Sequence, residues 1–277
     1  MSFTKDALEH VEQNAFAATL DAKTLCDFNV AVLPGGMQIH DLEEYQEHRN
    51  QFRGALSTNS IKDFVEYSNL QAKGSCFISR SSMSAQTVFD LGDDVNPGHC
   101  KHTAKVSLKK LAAYSQLQNQ DGRRMDQQDF AEFIEDYRDN IKLVADFPYD
   151  LEDFKVMDFS EGIAAIRRVT INKKREQEHG VQSFSANKSS MEQIDATSDG
   201  NQLPGYLTFQ CKPYESLSQY TFVVRIGLVI TGNEPVFIPR IIKAEETEEL
   251  MSDEFTDLIT GDLDDTIPHY MGMFDSK

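Results

Sequence analysis

Residues 220–238, YTFVVRIGLVITGNEPVFI, carry the clearest fold signal in the chain. Alternate side chains from position 220 to position 230 are aromatic or aliphatic, which places them on one face of an extended strand. Gly232-Asn233 is typical of a tight turn, and residues 236–238 read as a returning strand. This stretch therefore predicts a long β-hairpin toward the C-terminal end.

Helices and further strands are predicted on the N-terminal side of this hairpin. Asp126 is a typical N-cap, and the one-sided helix after it carries Phe130, Phe133, Ile134, Tyr137 and Ile141 at helical spacing. Ser60 and Asp63 fit a capping box at a second helix start. Strands are predicted at residues 75–79 and 87–91, and residues 163–171 favour a helical start followed by a strand.

Helices and strands follow one another without regular alternation, which favours an α+β fold. We expect an antiparallel sheet with packed helices and the C-terminal long β-hairpin. Residues 1–243 are predicted to form a single α+β domain, in which the polar segment 172–201 is a mobile arm. Residues 244–277 are predicted to be an acidic C-terminal tail.

Composition excludes several classes of protein. The 277 residues contain 27 Lys and Arg against 45 Asp and Glu, a formal net charge of −18, which disfavours general nucleic-acid binding. Hydrophobic residues make up 40% of the chain, which argues against wholesale disorder. No run approaches the roughly 20 apolar residues of a membrane helix, and the N-terminal segment does not resemble a signal peptide. We therefore expect a cytoplasmic protein.

The acidic tail combines negative charge with apolar side chains. Eleven of its residues are Asp or Glu and only Lys277 is basic. It either solvates the protein, docks onto a partner or a neighbouring copy, or mimics a nucleic-acid backbone. If it docks, the expected contact residues are Leu250, Phe255, Leu258, Ile259, Tyr270 and Phe274.

The sequence gives only weak evidence for a metal-binding or catalytic site. His99, Cys100 and His102 are candidate metal ligands, but their spacing is poor and no second ligand pair is evident. Acidic groups at residues 90–94 and 146–153 are weak candidates for two-metal chemistry, and the second group reads as a loop. No nucleotide-binding loop or nucleophile motif occurs, so we expect neither an enzyme nor a cofactor.

Basic side chains form two groups along the chain. If the groups adjoin in space, they suit an acidic peptide, a phosphate or a nucleic-acid strand; separately, they are ordinary solvated side chains. The first group is Lys105, Lys109, Lys110, Arg123 and Arg124, and the second is Arg167, Arg168, Lys173, Lys174 and Arg175.

Several segments together resemble one known family. They are residues 53–58, 82–85 and 102–104, and above all the helix motif QDFAEFIED at residues 128–136. They resemble the YfdQ-like family of phage and prophage proteins, a domain of unknown function. Residues 205–240, which include Pro213-Tyr214 and Arg225, resemble its C-terminal β region, although this chain lacks the tryptophan typical of the family.

The resemblance implies a mobile-element gene expressed in the bacterial cytoplasm, and it transfers no catalytic residue. We therefore expect a non-enzymatic phage or prophage accessory protein that acts through protein–protein contacts, with itself as a homo-oligomer and with a host or phage protein. One alternative is counter-defence, as an acidic decoy of a host immune protein or as a nucleotide sponge. Another is an auxiliary recombination factor that binds single-stranded DNA.

Overall fold

The computed structural model describes residues 4–19, 47–49, 51–150, 154–169, 202–231 and 234–275. These residues form six helices: α1 (Lys5–Thr19), α2 (Ile61–Gln71), α3 (Ala112–Gln120), α4 (Gln127–Asp136), α5 (Phe159–Arg167) and α6 (Ala244–Asp262). They also form nine strands: β1 (Gly54–Thr58), β2 (Ser75–Ser79), β3 (Ser84–Val88), β4 (His102–Ser107), β5 (Ile141–Val144), β6 (Tyr206–Cys211), β7 (Tyr220–Thr231), β8 (Glu234–Ile241) and β9 (His269–Met271). The fold is α+β, as the sequence predicts.

The chain divides into two compact units, residues 1–51 and 52–277. Within the first unit, α1 exposes Leu8 and Val11. The predicted arm at residues 172–201 and the turn at Gly232-Asn233 lie outside the described residues. None of the helices among the described residues is long and apolar enough to span a membrane.

The first sheet of the second unit is mixed, with the strand order β1-β4-β3-β2-β9. The pairs β1–β4 and β2–β9 are parallel, whereas β2–β3 and β3–β4 are antiparallel. Buried side chains from Cys76, Ile78, Ala104 and Val106 face the core, and α2 contacts β1, β4 and α6. This sheet holds β9 at one of its edges.

The second sheet is antiparallel, with the order β5-β6-β7-β8. The predicted long hairpin is confirmed: β7 and β8 pair from Val224–Ile241 to Thr231–Glu234. Each outer strand of this sheet makes one further bridge, Met125 to Phe237 of β8 and Val156 to Val144 of β5.

Side-chain N-caps mark the first turns of three helices. The Ser60 hydroxyl accepts from the Asp63 N–H at 3.2 Å, and the Asp126 carboxylate accepts from the Asp129 N–H at 2.8 Å, as predicted. Asp158 caps α5 in the same way, at 3.0 Å from the N of Glu161. The helical start predicted for residues 163–171 is confirmed as far as Arg167, in a helix that the cap at Asp158 begins. The strand predicted after it does not form at residues 168–169, and residues 170–171 lie outside the described residues.

The strand predicted at residues 87–91 is shifted. The observed strand, β3, spans Ser84–Val88. The chain then turns at Gly92, whose φ of +74° is a left-handed conformation. The Asp90 carboxylate accepts from the backbone N–H groups of Lys101 and His102, both at 2.9 Å. That carboxylate therefore closes the loop in front of β4.

The acidic segment differs from the expected tail because its first part packs on the chain's own core. α6 buries Met251, Phe255 and Ile259, which lie four residues apart on one helix face. Its acidic side chains occupy the other faces. The apolar area that the segment lacks by itself is supplied by the second unit, so the helix shares one hydrophobic core with Phe64, Tyr114 and both sheets.

Candidate functional site

An exposed apolar surface lies at the end of α6 and β9. We call Tyr270, Met271 and Met273 the C-terminal patch; their exposed fractions are 54%, 57% and 82%. Large apolar side chains with this exposure at three of four successive positions are unusual for a surface that stays in water. The patch is therefore the first candidate site.

β9 is held on the sheet by backbone and ring contacts. The N–H of Cys76 donates to the Pro268 carbonyl at 2.9 Å, and the N–H of Gly272 donates to the Ile78 carbonyl at 2.7 Å. The ring of Phe77 stacks on Tyr270 at 5.6 Å and on Phe274 at 4.7 Å between centroids. These contacts hold β9 at the edge of the first sheet and place Tyr270 on the same face as Phe77, whereas Met271, the next residue of the strand, lies on the opposite face.

The outer edge of β9 pairs with no other strand among the residues that the structure describes. Such an edge presents backbone N–H and C=O groups that can pair with another chain. Residues 266–274 contain no Asp, Glu, Lys or Arg, although acidic residues flank them at Asp265 and Asp275. The edge is thus open and uncharged.

The six predicted contact residues of the tail fall into two groups. Phe255 and Ile259 are completely buried and Leu258 is half-buried in the chain's own core, so the prediction that a partner covers them is corrected. Leu250 and Tyr270 are exposed, and Phe274 is half-buried on Phe77.

A groove of about 740 Å³ forms a second candidate site, of a size that suits a small ligand. Its walls are the turn at residues 80–83, the segment from Leu108 to Tyr114, Tyr214, and the first half of α6. Its acidic side chains are Glu245, Glu248 and Glu249, and its basic ones are Arg80 and Lys110.

Hydrogen bonds link the polar residues on one wall of the groove. The Lys110 ammonium donates to the Gln118 side-chain oxygen at 2.7 Å, and the Gln118 amide donates to the Tyr114 hydroxyl at 2.8 Å. Burial and then the nearby Glu248 charge raise the pKa of both Tyr114 and Tyr214 above the ordinary tyrosine value. Both phenols are therefore neutral at physiological pH.

The predicted metal ligands do not converge. The His102 ring is buried between Phe52 and Phe89, and its Nε2 lies 3.0 Å from the Tyr67 hydroxyl. His99 is exposed and Cys100 half-buried. Within the described part of the chain, no three His, Cys, Asp or Glu side chains are placed to hold a metal ion.

The predicted acidic clusters also separate. Asp90 accepts backbone N–H groups, and Asp93 accepts those of Val95 and Asn96. Asp146 and Asp150 line a different cleft of about 550 Å³, and residues 151–153 lie outside the described ranges.

The basic groups have different neighbours. Lys105 lines a cleft of about 250 Å³ with Phe77 and Phe274, whereas Lys110 lines the groove. Arg167 pairs with Glu135 at 2.7 Å. The other described members, Lys109, Arg123, Arg124 and Arg168, are exposed, and Lys173, Lys174 and Arg175 lie outside the described residues.

Two residues of the candidate sites have no distinctive sequence signal. Phe77 reads only as a strand residue, and its stacking on Tyr270 depends on β2–β9 pairing. Tyr214 stands in the segment that resembles the family's β region, but nothing in the sequence places it opposite α6.

Comparison with known proteins gives one match. The model of a family described as an uncharacterized conserved protein, DUF2303, matches residues 4–274. No curated protein and no solved structure matches the chain. Because the matched residues span nearly the whole sequence, the protein belongs to the DUF2303 family.

Proposed function

We propose that this protein is a non-enzymatic accessory protein of a phage or prophage, and that it acts through protein–protein contacts and self-association. The phage setting rests on the resemblance to the YfdQ-like family. The contact surface in this proposal is the C-terminal patch together with the outer edge of β9. No chemical step is part of the function.

The observation that carries the proposal is the open edge of β9 beside three exposed apolar side chains. Addition of a strand to such an edge supplies backbone hydrogen bonds, and neighbouring side chains supply apolar contact. β9 itself has only three residues, so Tyr270, Met271 and Met273 must provide much of the buried area.

The occupant of this edge is a second copy of the chain. Two copies with a formal charge of −18 each repel one another, and contact is least unfavourable where no acidic side chain is present. The uncharged residues 266–274 meet that condition inside an otherwise acidic region. Antiparallel pairing of two β9 edges about a two-fold axis is a self-complementary contact.

A charge insertion in the patch tests the proposal. The double variant Met271→Lys and Met273→Lys should shift the protein from oligomer to monomer, because each interface would bury four ammonium groups without partners. Light scattering coupled to size-exclusion chromatography measures the molar mass.

The matched control is Leu70→Lys with Val95→Lys, which adds the same charge at positions that are 78% and 84% exposed and lie outside the patch. This control should keep the wild-type mass. A wild-type mass of 31.4 kDa at high concentration, or an oligomer that survives the patch substitutions, would contradict the proposal.

A further inference from the structure

The groove between α6 and the turn after β2 has a polar group that the folded chain leaves unsatisfied. Tyr214 lines the groove and is only 6% exposed, and its hydroxyl has no hydrogen-bond partner among the described residues. A buried hydroxyl without a partner is unfavourable, and native structures pair such groups with protein, water or ligand. Tyr214 therefore indicates a polar occupant of the groove.

The charges around Tyr214 select the chemistry of that occupant. The carboxylates of Glu245 and Glu249 make no hydrogen bond or ion pair with any side chain in the described ranges. Glu248 accepts from the Gln118 amide at 3.3 Å and is also hydrogen-bonded to the Tyr114 hydroxyl. Three carboxylates thus face the groove without a cationic partner.

The two basic residues of the groove do not neutralise these carboxylates. Arg80 pairs with Asp253 and points its guanidinium toward Ser252, at 3.4 Å from the hydroxyl. Lys110 donates to Gln118 and lies 5.7 Å from the centre of the Tyr114 ring. The Glu248 charge also acts on Tyr114 and Tyr214, whose pKa values it raises.

Apolar side chains form one part of the remaining surface of the groove, beside Ser81, Ser82 and Ser252. Met83, Leu108 and Met251 line it, and Met83 and Met251 are buried. A linear aliphatic chain fits such a wall, and methionine adapts to its shape.

We infer that this groove binds an alkylammonium or guanidinium group, whose N–H groups donate to the Tyr214 hydroxyl and to the carboxylates of Glu245, Glu248 and Glu249. The alkyl part of the ligand packs against Met83 and Met251. The source of the cation is a free polyamine or a Lys or Arg side chain of a peptide. The inference is independent of self-association, because the groove shares no lining residue with the C-terminal patch.

Calorimetric titration of the full chain with spermidine tests the binding of a free polyamine. A second titration uses a tripeptide with a central Lys and blocked ends, and its control has norleucine in place of Lys. Both are run at about 0.15 M salt, where diffuse attraction between distant charges is screened. We expect saturation at one ligand per chain.

Two variants locate the site. Glu245→Gln with Glu249→Gln should weaken binding about tenfold or more, because two charge-assisted hydrogen bonds are lost. The matched control, Asp257→Asn with Asp262→Asn, removes the same charge from exposed positions of α6 outside the groove and should change affinity by less than about twofold.

Tyr214→Phe separates binding from folding. The ring contact with Tyr114, at 6.0 Å between centroids, is kept, and only the hydroxyl is removed. We expect binding about threefold or more weaker, with a Tm equal to or above that of the wild type, because an unpaired buried hydroxyl is removed.

Binding of spermidine alone supports a free polyamine as the ligand. Binding of the Lys tripeptide, together with no binding of the norleucine tripeptide, supports a peptide side chain. The inference is overturned if neither probe binds, or if the groove and control variants lose affinity equally. It is also overturned if Tyr214→Phe leaves the affinity unchanged.

Discussion

Glu254 on α6 accepts hydrogen bonds from the segment that leads into β7. The Ser218 N–H and hydroxyl donate to one carboxylate oxygen at 2.8 and 2.5 Å, and the Tyr220 hydroxyl donates to the other at 2.7 Å. Desolvation alone would raise the pKa of Glu254, but these hydrogen bonds outweigh it and hold the pKa below its ordinary value. This one carboxylate joins α6 to the second sheet.

Replacement of this carboxylate should destabilise the protein in a pH-dependent way. Glu254→Gln should lower the free energy of unfolding by about 1–3 kcal/mol at pH 7, because charge-assisted hydrogen bonds become neutral or are lost. The folded pKa lies below the unfolded one, so the carboxylate's contribution is full above the unfolded pKa of about 4.3 and disappears as the pH falls through the folded pKa. Urea unfolding at several pH values measures the difference between wild type and variant.

Asp257→Asn is the control, because Asp257 is an exposed carboxylate on the same helix. Its effect should stay within about 0.5 kcal/mol. A Glu254→Gln variant as stable as this control at pH 7 would show that the three hydrogen bonds contribute nothing net.

At the residue scale, the sequence predicts contacts that span one helical turn. The caps at Ser60 and Asp126 are predicted because donor and acceptor lie three residues apart. The Glu254 contacts join residues 34 and 36 positions apart, and no local pattern distinguishes Glu254 from the other acidic residues of α6.

Among the elements, α6 shows why an acidic segment can be ordered. Its buried residues Met251, Phe255 and Ile259 form a narrow stripe, which is too little to fold the segment in isolation. Packing against the second unit supplies the missing area. The stripe is visible in the sequence, but the surface that receives it is assembled from residues far along the chain, so the sequence alone leaves the tail's location open.

The C-terminal end of α6 is fixed by one side chain of α2. The Asn69 amide donates to the Asp262 carbonyl at 2.8 Å, and its oxygen accepts from the Asp264 N–H at 2.8 Å. The Asp262 carbonyl and the Asp264 N–H lie at the end of the helix, where backbone groups have no hydrogen-bond partner within the helix. Asn69 thereby positions the chain that continues into β9.

Asn69→Ala should loosen this helix end. We expect the free energy of unfolding to fall by about 1–2 kcal/mol, because two hydrogen bonds are lost at a partly solvated site. Amide hydrogen exchange should accelerate at Asp264 and in β9 more than in β7. Uniform acceleration in both strands would instead indicate global destabilisation and contradict the local role of Asn69.

For the whole molecule, the two sheets differ in how far they can be predicted. The β7–β8 hairpin joins neighbouring segments, and its alternation and turn residues identify it. The first sheet pairs β2 with β9, in register from Cys76–His269 to Ile78–Met271, and such long-range parallel pairing leaves no local pattern. Because the β2–β9 pairing places the C-terminal patch at the sheet edge, the sequence alone does not predict the position of the patch.

The net charge of the protein affects the association of two copies. Each copy has a formal charge of −18, so association of two copies through uncharged residues is opposed by long-range repulsion. Added salt screens that repulsion and should strengthen self-association. Binding to a nucleic acid has the opposite dependence, because salt weakens it.

Sedimentation equilibrium of the full chain at about 0.05 M and about 0.5 M NaCl tests self-association through β9 most directly, since this range spans strong and weak screening. Self-association through β9 should give an average mass above 31.4 kDa that rises with protein concentration and with salt, and that returns to 31.4 kDa in the Met271→Lys, Met273→Lys variant. A wild-type mass of 31.4 kDa at both salt concentrations would contradict it.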